Sequence, residues 1–340
     1  MSTTSSSATR PIVETVLPAG KKPKKPRKIN TNAERGFSRV FRWIATGAAL
    51  LILATLAAVA IFLIYRAIPA FTASEAQLDE VRTHLPRMDS LWSLIGTLIF
   101  GTLLAALLAL ILATPIAVGI ALFISHYAPK RVAGIISYVV DLLAAIPSVV
   151  FGLWGAMVLA PHIRTFWGWI ASALSLIPGL TVNNSATGRS VATASVVLAV
   201  MILPIITAVS REVFRQTPAL HEEAALALGA TRWEMIKMAV LPFGRSGVVS
   251  AAMLGLGRAL GETMAVLMIL SPGFLVSLQI FDGGQVHTIA AFIASMFPES
   301  AGLTINVLIA AGLALFVISM AVNMGARWVV SRRAAFSGAN

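Results

Sequence analysis

The chain contains no cysteine, and only 12% of its 340 residues are charged. The first absence excludes disulfides and thiolate zinc sites. The five histidines, His84, His126, His162, His221 and His287, are scattered, with no i,i+4 pair of the kind a helical metal site requires, so no metal is expected. There is also no G-x-x-x-x-G-K-[ST] run, which excludes nucleotide binding by the P-loop route. Two acids, Asp141 and Glu262, lie in or near apolar runs, but on different runs and at different depths, so no catalytic pair is expected either. What the chain has in quantity is apolar residue: 57% hydrophobic, with a mean hydropathy of +0.85. That composition is an all-α polytopic membrane protein and not a soluble globule.

Six stretches reach the roughly 20 residues needed to cross a hydrocarbon core. They fall near 43–65, 91–125, 135–160, 190–214, 246–271 and 304–326. The formal net charge of +12 is unevenly placed: ten of the 26 cations precede the first span, six of them in the run KKPKKPRK at 21–28. With the N-terminus inside, twenty cations fall on the inner side and five on the outer, which predicts six spans with both termini cytoplasmic. The organisation expected is a disordered basic tail over 1–42, touching anionic lipid, a membrane domain over 43–330 and a short tail over 331–340. Two further apolar segments, 163–180 and 285–297, are expected to be interfacial or re-entrant. A seventh span at 163–180 would carry the inner cations across the membrane.

One polar insertion interrupts the spans. Residues 215–245 contain EAALALGATRWEMIKMAVLP, from Glu223 to Pro242. Thr217 and Pro218 are suited to open a helix that carries Glu222, Glu223, Ala224 and Ala225. Gly229 is suited to end it. Thr231 and Glu234 have the spacing of a capping box for a second helix. Leu241-Pro242 is expected to close that second helix. A structured hairpin between two spans is placed to meet a soluble partner. Nucleic acid is not that partner, because Glu222, Glu223 and Glu234 outnumber Arg232 and Lys237.

The hairpin resembles the cytoplasmic coupling loop of ABC-importer permeases, with Glu223, Ala224, Ala225, Gly229, Leu241 and Pro242 on the matching positions. The resemblance implies a MetI-like architecture and docking of an ATPase on this loop.

The run GLGRALGETMAV, ending the fifth span, holds two charges that would each cost about 2.5–3.5 kcal/mol at a bilayer centre. Arg258 and Glu262 are four apart, which on a continuous helix puts them on one face and within reach of each other. Gly257 and Gly261 have GxxxG spacing, which admits a second backbone closely. This run is similar to the fifth span of phosphate-importer permeases of the PstC type, and AIPSVVFGLWG at 145–155 is similar to their third span. The resemblance spans about residues 90–330. It implies that Arg258 and Glu262 take part in phosphate translocation. It also implies a second, PstA-like permease, a PstB-like ATPase dimer that holds the ATP and magnesium, and an extracytoplasmic PstS-like binding protein. No cofactor is implied for this chain. A permease for sulfate, molybdate or phosphonate is the nearest alternative. A secondary anion transporter or channel would use Arg258 but has no need of the hairpin.

Overall fold

The computed structural model describes residues 31–84, 90–177 and 182–334, with side chains over 38–83, 90–177 and 182–328. The expectations for the tail at 1–30 and for 335–340 lie outside the described residues. The chain divides into two units, Met1–Leu56 and Ala57–Asn340. The described part of the first is the opening of helix α1, Thr31–Thr72, which begins well before position 43. Residues 31–42 are therefore helical, not part of a disordered tail; no proline separates them from the apolar run. Similarly, α13, Leu303–Ala334, carries its last apolar helix past position 330.

Between these lie α2 (Glu75–His84), α3 (Leu91–Leu122), α4 (Lys130–Ala144), α5 (Ser148–Trp154) and α6 (Ala160–Leu174). They are followed by α7 (Val191–Arg215), α8 (Ala219–Ala227), α9 (Arg232–Met235), α10 (Leu241–Leu260), α11 (Met264–Ile269) and α12 (Ile289–Met296). All regular structure among the described residues is helical. Three π turns, Phe123–Tyr127, Gly155–Leu159 and Ile236–Val240, extend α3, join α5 to α6 and join α9 to α10. Among the described residues six helices are long and apolar enough to cross a membrane: Ser38–Thr72, Leu91–Tyr127, Ser148–Leu174, Val191–Arg215, Arg232–Leu260 and Leu303–Trp328. The chain is a multi-pass membrane protein.

The number of spans agrees with the sequence, but two of them shift. The third span is not 135–160. Residues 130–144 form the separate amphipathic helix α4, and Pro147 starts a new helix after the break at Ala145-Ile146. A proline disfavours helical dihedrals in the residue before it, and its missing N–H costs least at a helix start. The third span therefore runs to Leu174 and absorbs most of the segment expected to lie at the interface, with Trp167 buried against Phe281. The other segment, 285–297, is not a surface helix. Ile289, Ala291 and Phe292 of α12 are fully buried, so it folds back into the protein.

Helix α7 is the hub, packing on α3, α4 and α10, with 72% of its most apolar stretch buried. Its approach to α3 is possible because Ala105, Ala109, Ala113 and Ala117 form a stripe of small buried residues every four positions. Small side chains let two backbones close to van der Waals range in a membrane, where no hydrophobic force draws helices together. Ser195 of α7 donates to the Ala105 carbonyl at 3.3 Å across this seam. Nearer the start of α3, Gly101 makes room for the loop before α12. A Cβ there would stand 2.3 Å from the His287 carbonyl oxygen. Beside it, the Thr102 hydroxyl accepts the Ile289 N–H at 2.9 Å.

Candidate functional site

The hairpin folds largely as its local chemistry dictates. Thr231 Oγ1 accepts the Glu234 N–H at 3.3 Å, and Glu234 Oε2 accepts the Thr231 N–H at 2.8 Å, a complete capping box. Gly229 adopts φ +83°, the left-handed turn that ends α8. Two expectations fail. Pro218, not Thr217, is the N-cap of α8, and the buried Thr217 hydroxyl has no partner. Leu241-Pro242 does not close the second helix, which continues from Arg232 to Leu260 as the fifth span. The π turn Ile236–Val240 precedes the proline, with the Leu241 N–H bonded to the Ile236 carbonyl. Inserting a residue there relieves the ladder that proline would otherwise break.

Tertiary packing then sorts the hairpin residues by role. Ala225 is buried with Ala121, Phe214, Met235, Ile236 and Val240, so it anchors the hairpin to the ends of α3 and α7. Glu223 and Ala224 are exposed, as are the apolar side chains of Leu220, Leu228, Trp233 and Met238 on the same hairpin, Leu228 to 89%. Glu222 points back, its Oε1 lying 3.3 Å from His126 Nε2 at the end of the second span. Ser125 Oγ stands 2.7 Å from the other nitrogen, Nδ1. The residues that sequence reasoning missed here are His126, Leu228 and Trp233. The last two are large apolar side chains on a polar loop, a signal that was available. Asp141 of α4 faces Arg211 of α7 at 3.9 Å.

The charged run of the fifth span departs most from expectation. Helix α10 ends at Leu260, with Gly261 as its C-cap, and α11 starts only at Met264. Arg258 and Glu262 are thus not a turn apart on one helix, and among the described residues no ion pair joins them. Glu262 Oε1 accepts the Ala265 N–H at 3.0 Å and caps α11 instead. The glycines divide as well. Gly255 packs on α7, where a Cβ would meet the Ile206 side chain at 2.9 Å. A Cβ at Gly257 would meet nothing within 4 Å.

The open face borders two cavities. One of about 860 Å³ is lined by Ser250, Gly257 and Arg258 of α10 together with Asn323 and Arg327 of α13. A second of about 430 Å³ adjoins the break, between Gly261, Thr263, Leu315 and the α12 residues Ala290, Ile293 and Ala294. Non-helical backbone at membrane depth is tolerated where it is buried or lines such a space. Arg258, half-buried, lines the larger of these two cavities. It carries planar, bidentate donors at every physiological pH, the natural complement of a tetrahedral oxyanion.

The family described as "Binding-protein-dependent transport system inner membrane component" matches residues 113–334, and the chain belongs to it. Within it, the chain is 47% identical over 304 residues to "Phosphate transport system permease protein PstC 2" of Mycobacterium tuberculosis, covering 87% of this chain and 92% of that protein. It is 44% identical to the PstC protein of Mycobacterium leprae, over 81% and 87% of the two chains. Among solved structures, a bacterial ABC transporter that imports alginate has a similar fold, with a TM-score of 0.55 at 19% identity, covering 88% of this chain and 99% of that one. The inward-facing methionine ABC transporter has a TM-score of 0.51 at 15% identity, covering 71% and 96%. The six spans and the hairpin agree with the architecture expected from the sequence.

Proposed function

We propose that this chain is the PstC-type permease subunit of an ATP-driven importer, moving inorganic phosphate into the cytoplasm across the bacterial inner membrane. The observation that carries the reading is the Arg258 guanidinium in the wall of the large cavity, in a chain similar over most of its length to phosphate permeases. Moving an anion inward against a negative-inside potential requires about 2.3 kcal/mol per charge per 100 mV. The chain has no P-loop to supply that work. It comes from a PstB-like ATPase dimer, which holds ATP and magnesium and docks on the face built from Leu220, Glu223, Leu228 and Trp233. The permease itself is non-catalytic and holds no cofactor or metal. A PstA-like permease completes the path, and a PstS-like binding protein delivers phosphate to the outer face. The excess of cations beside the hairpin and the termini supports a cytoplasmic placement for all three.

The test is uptake of labelled phosphate by the reconstituted complex, with sulfate, molybdate and phosphonate as competitors. ATP-dependent uptake blocked only by phosphate supports the reading. Uptake without ATPase subunits would instead identify a secondary transporter, and preference for another oxyanion would reassign the substrate.

A further inference from the structure

The sequence draws attention to one membrane arginine, and the structure adds a second to the same space. Arg258 is near the end of α10, whereas Arg327 is 69 positions away on α13, close to the hairpin end of the last span. Arg327 reads from sequence as one of the flanking cations that orient a span. Its place in the fold is more specific, because it lines the cavity of about 860 Å³ that Arg258 also lines. Among the described residues no carboxylate forms an ion pair with either arginine. Two uncompensated guanidinium groups around one cavity repel each other and attract an anion between them.

The remaining polar wall suits a protonated oxyanion. Ser250 Oγ donates its hydrogen to the Ser246 carbonyl at 3.0 Å, which leaves it an acceptor. The Asn323 amide supplies a donor and an acceptor together. Near neutral pH inorganic phosphate carries both acceptor oxygens and a P–OH donor, while sulfate carries acceptors alone. The rest of the lining, Ile205, Met253, Leu254, Gly257 and Ala326, is apolar or small and offers an anion no competing site.

We propose that Arg327 is a second anion-binding residue, which with Arg258 holds hydrogen phosphate in the cavity between α10 and α13 on its way to the cytoplasm. This rests on the reading of Arg258 as a translocation residue, and the experiment separates the two. Because the chain has no cysteine, A326C provides a single thiol in the cavity wall without touching a proposed contact. The assembled complex carrying A326C, in inside-out vesicles, is reacted with a sulfonate-bearing thiol reagent in phosphate, sulfate or chloride at matched ionic strength. Phosphate is expected to slow labelling more than sulfate or chloride does. Adding R327Q should raise the half-protecting phosphate concentration about tenfold or more, the effect of losing one charge-assisted hydrogen bond. R327K keeps the charge that orients the span and controls for assembly. A purely topological cation predicts the same phosphate protection in wild type, R327K and R327Q, and that result overturns the proposal. Absence of phosphate protection in every variant also overturns it. In either case loss of uptake in R258Q leaves the transport reading standing, while normal uptake in R258Q removes the reading itself.

Discussion

The hairpin and the break in the fifth span are both polar interruptions of an apolar chain, yet they are built by opposite means. In the hairpin, groups close in sequence satisfy one another: Thr231 and Glu234 exchange hydrogen bonds, and Gly229 supplies the turn. At the break, local satisfaction is only partial: Glu262 accepts the N–H of Ala265 three residues on, and Arg258 has no such local partner among the described residues. Arg258 and Glu262 have the spacing of a helical pair, but the helix ends between them and each finds a different surrounding. A water-exposed hairpin tolerates imperfect polar pairing, so short-range rules govern it. Inside a bilayer a freed backbone group or a charge must be met by protein or by a cavity, and long-range packing decides where that can happen.

Five predictions probe this contrast, beginning with the largest effect. Arg258→Gln should abolish phosphate uptake while the complex still assembles, measured as uptake against the yield of purified complex. The double swap Arg258→Glu with Glu262→Arg should also assemble and fail to transport, since there is no pair for it to preserve. Near-normal uptake by the swapped protein would mean that the two charges pair during the transport cycle.

Next come the glycines. Gly101→Ala forces a Cβ against the His287 carbonyl, an overpacking that costs about 1–3 kcal/mol or more. Gly229→Ala meets no atom within 4 Å and suffers only its positive φ, about 1–2 kcal/mol. Thermal unfolding of the two purified proteins should show the larger drop for Gly101→Ala, and the reverse order would place the tighter constraint in the hairpin.

A smaller effect is expected from His126→Ala. His126 bridges the second span to Glu222 of the hairpin, so its loss should lower uptake per ATP hydrolysed by a few-fold without loss of assembly. His126→Gln, which can still donate to Glu222, should recover much of that coupling. An unchanged ratio in both variants would show that the bridge transmits nothing.

The smallest change is Thr231→Ala. It removes one half of the capping box and should cost about 1 kcal/mol of local stability. Hydrogen exchange of the α9 amides should report it, with uptake little altered.

Much of the protein is legible without the fold. Long apolar runs mark the six spans found among the described residues, because in a bilayer such a run satisfies its own backbone groups as a helix. The capping box and Gly229 follow from neighbours within four residues. The same proline rule gives different outcomes at two positions. At Pro147 the proline breaks the helix and begins a span, as its missing N–H allows, whereas at Pro242 a π turn just before the proline carries the helix through. Only the tertiary structure decides that Ala225 anchors the hairpin while Glu223 and Ala224 face outward. Only it separates Arg258 from Glu262 and brings Arg327 to the cavity that Arg258 lines. The physical reason is common to these cases. Composition and short spacing fix which segments leave water, but the position of a buried charge is set by the space that distant helices leave between them.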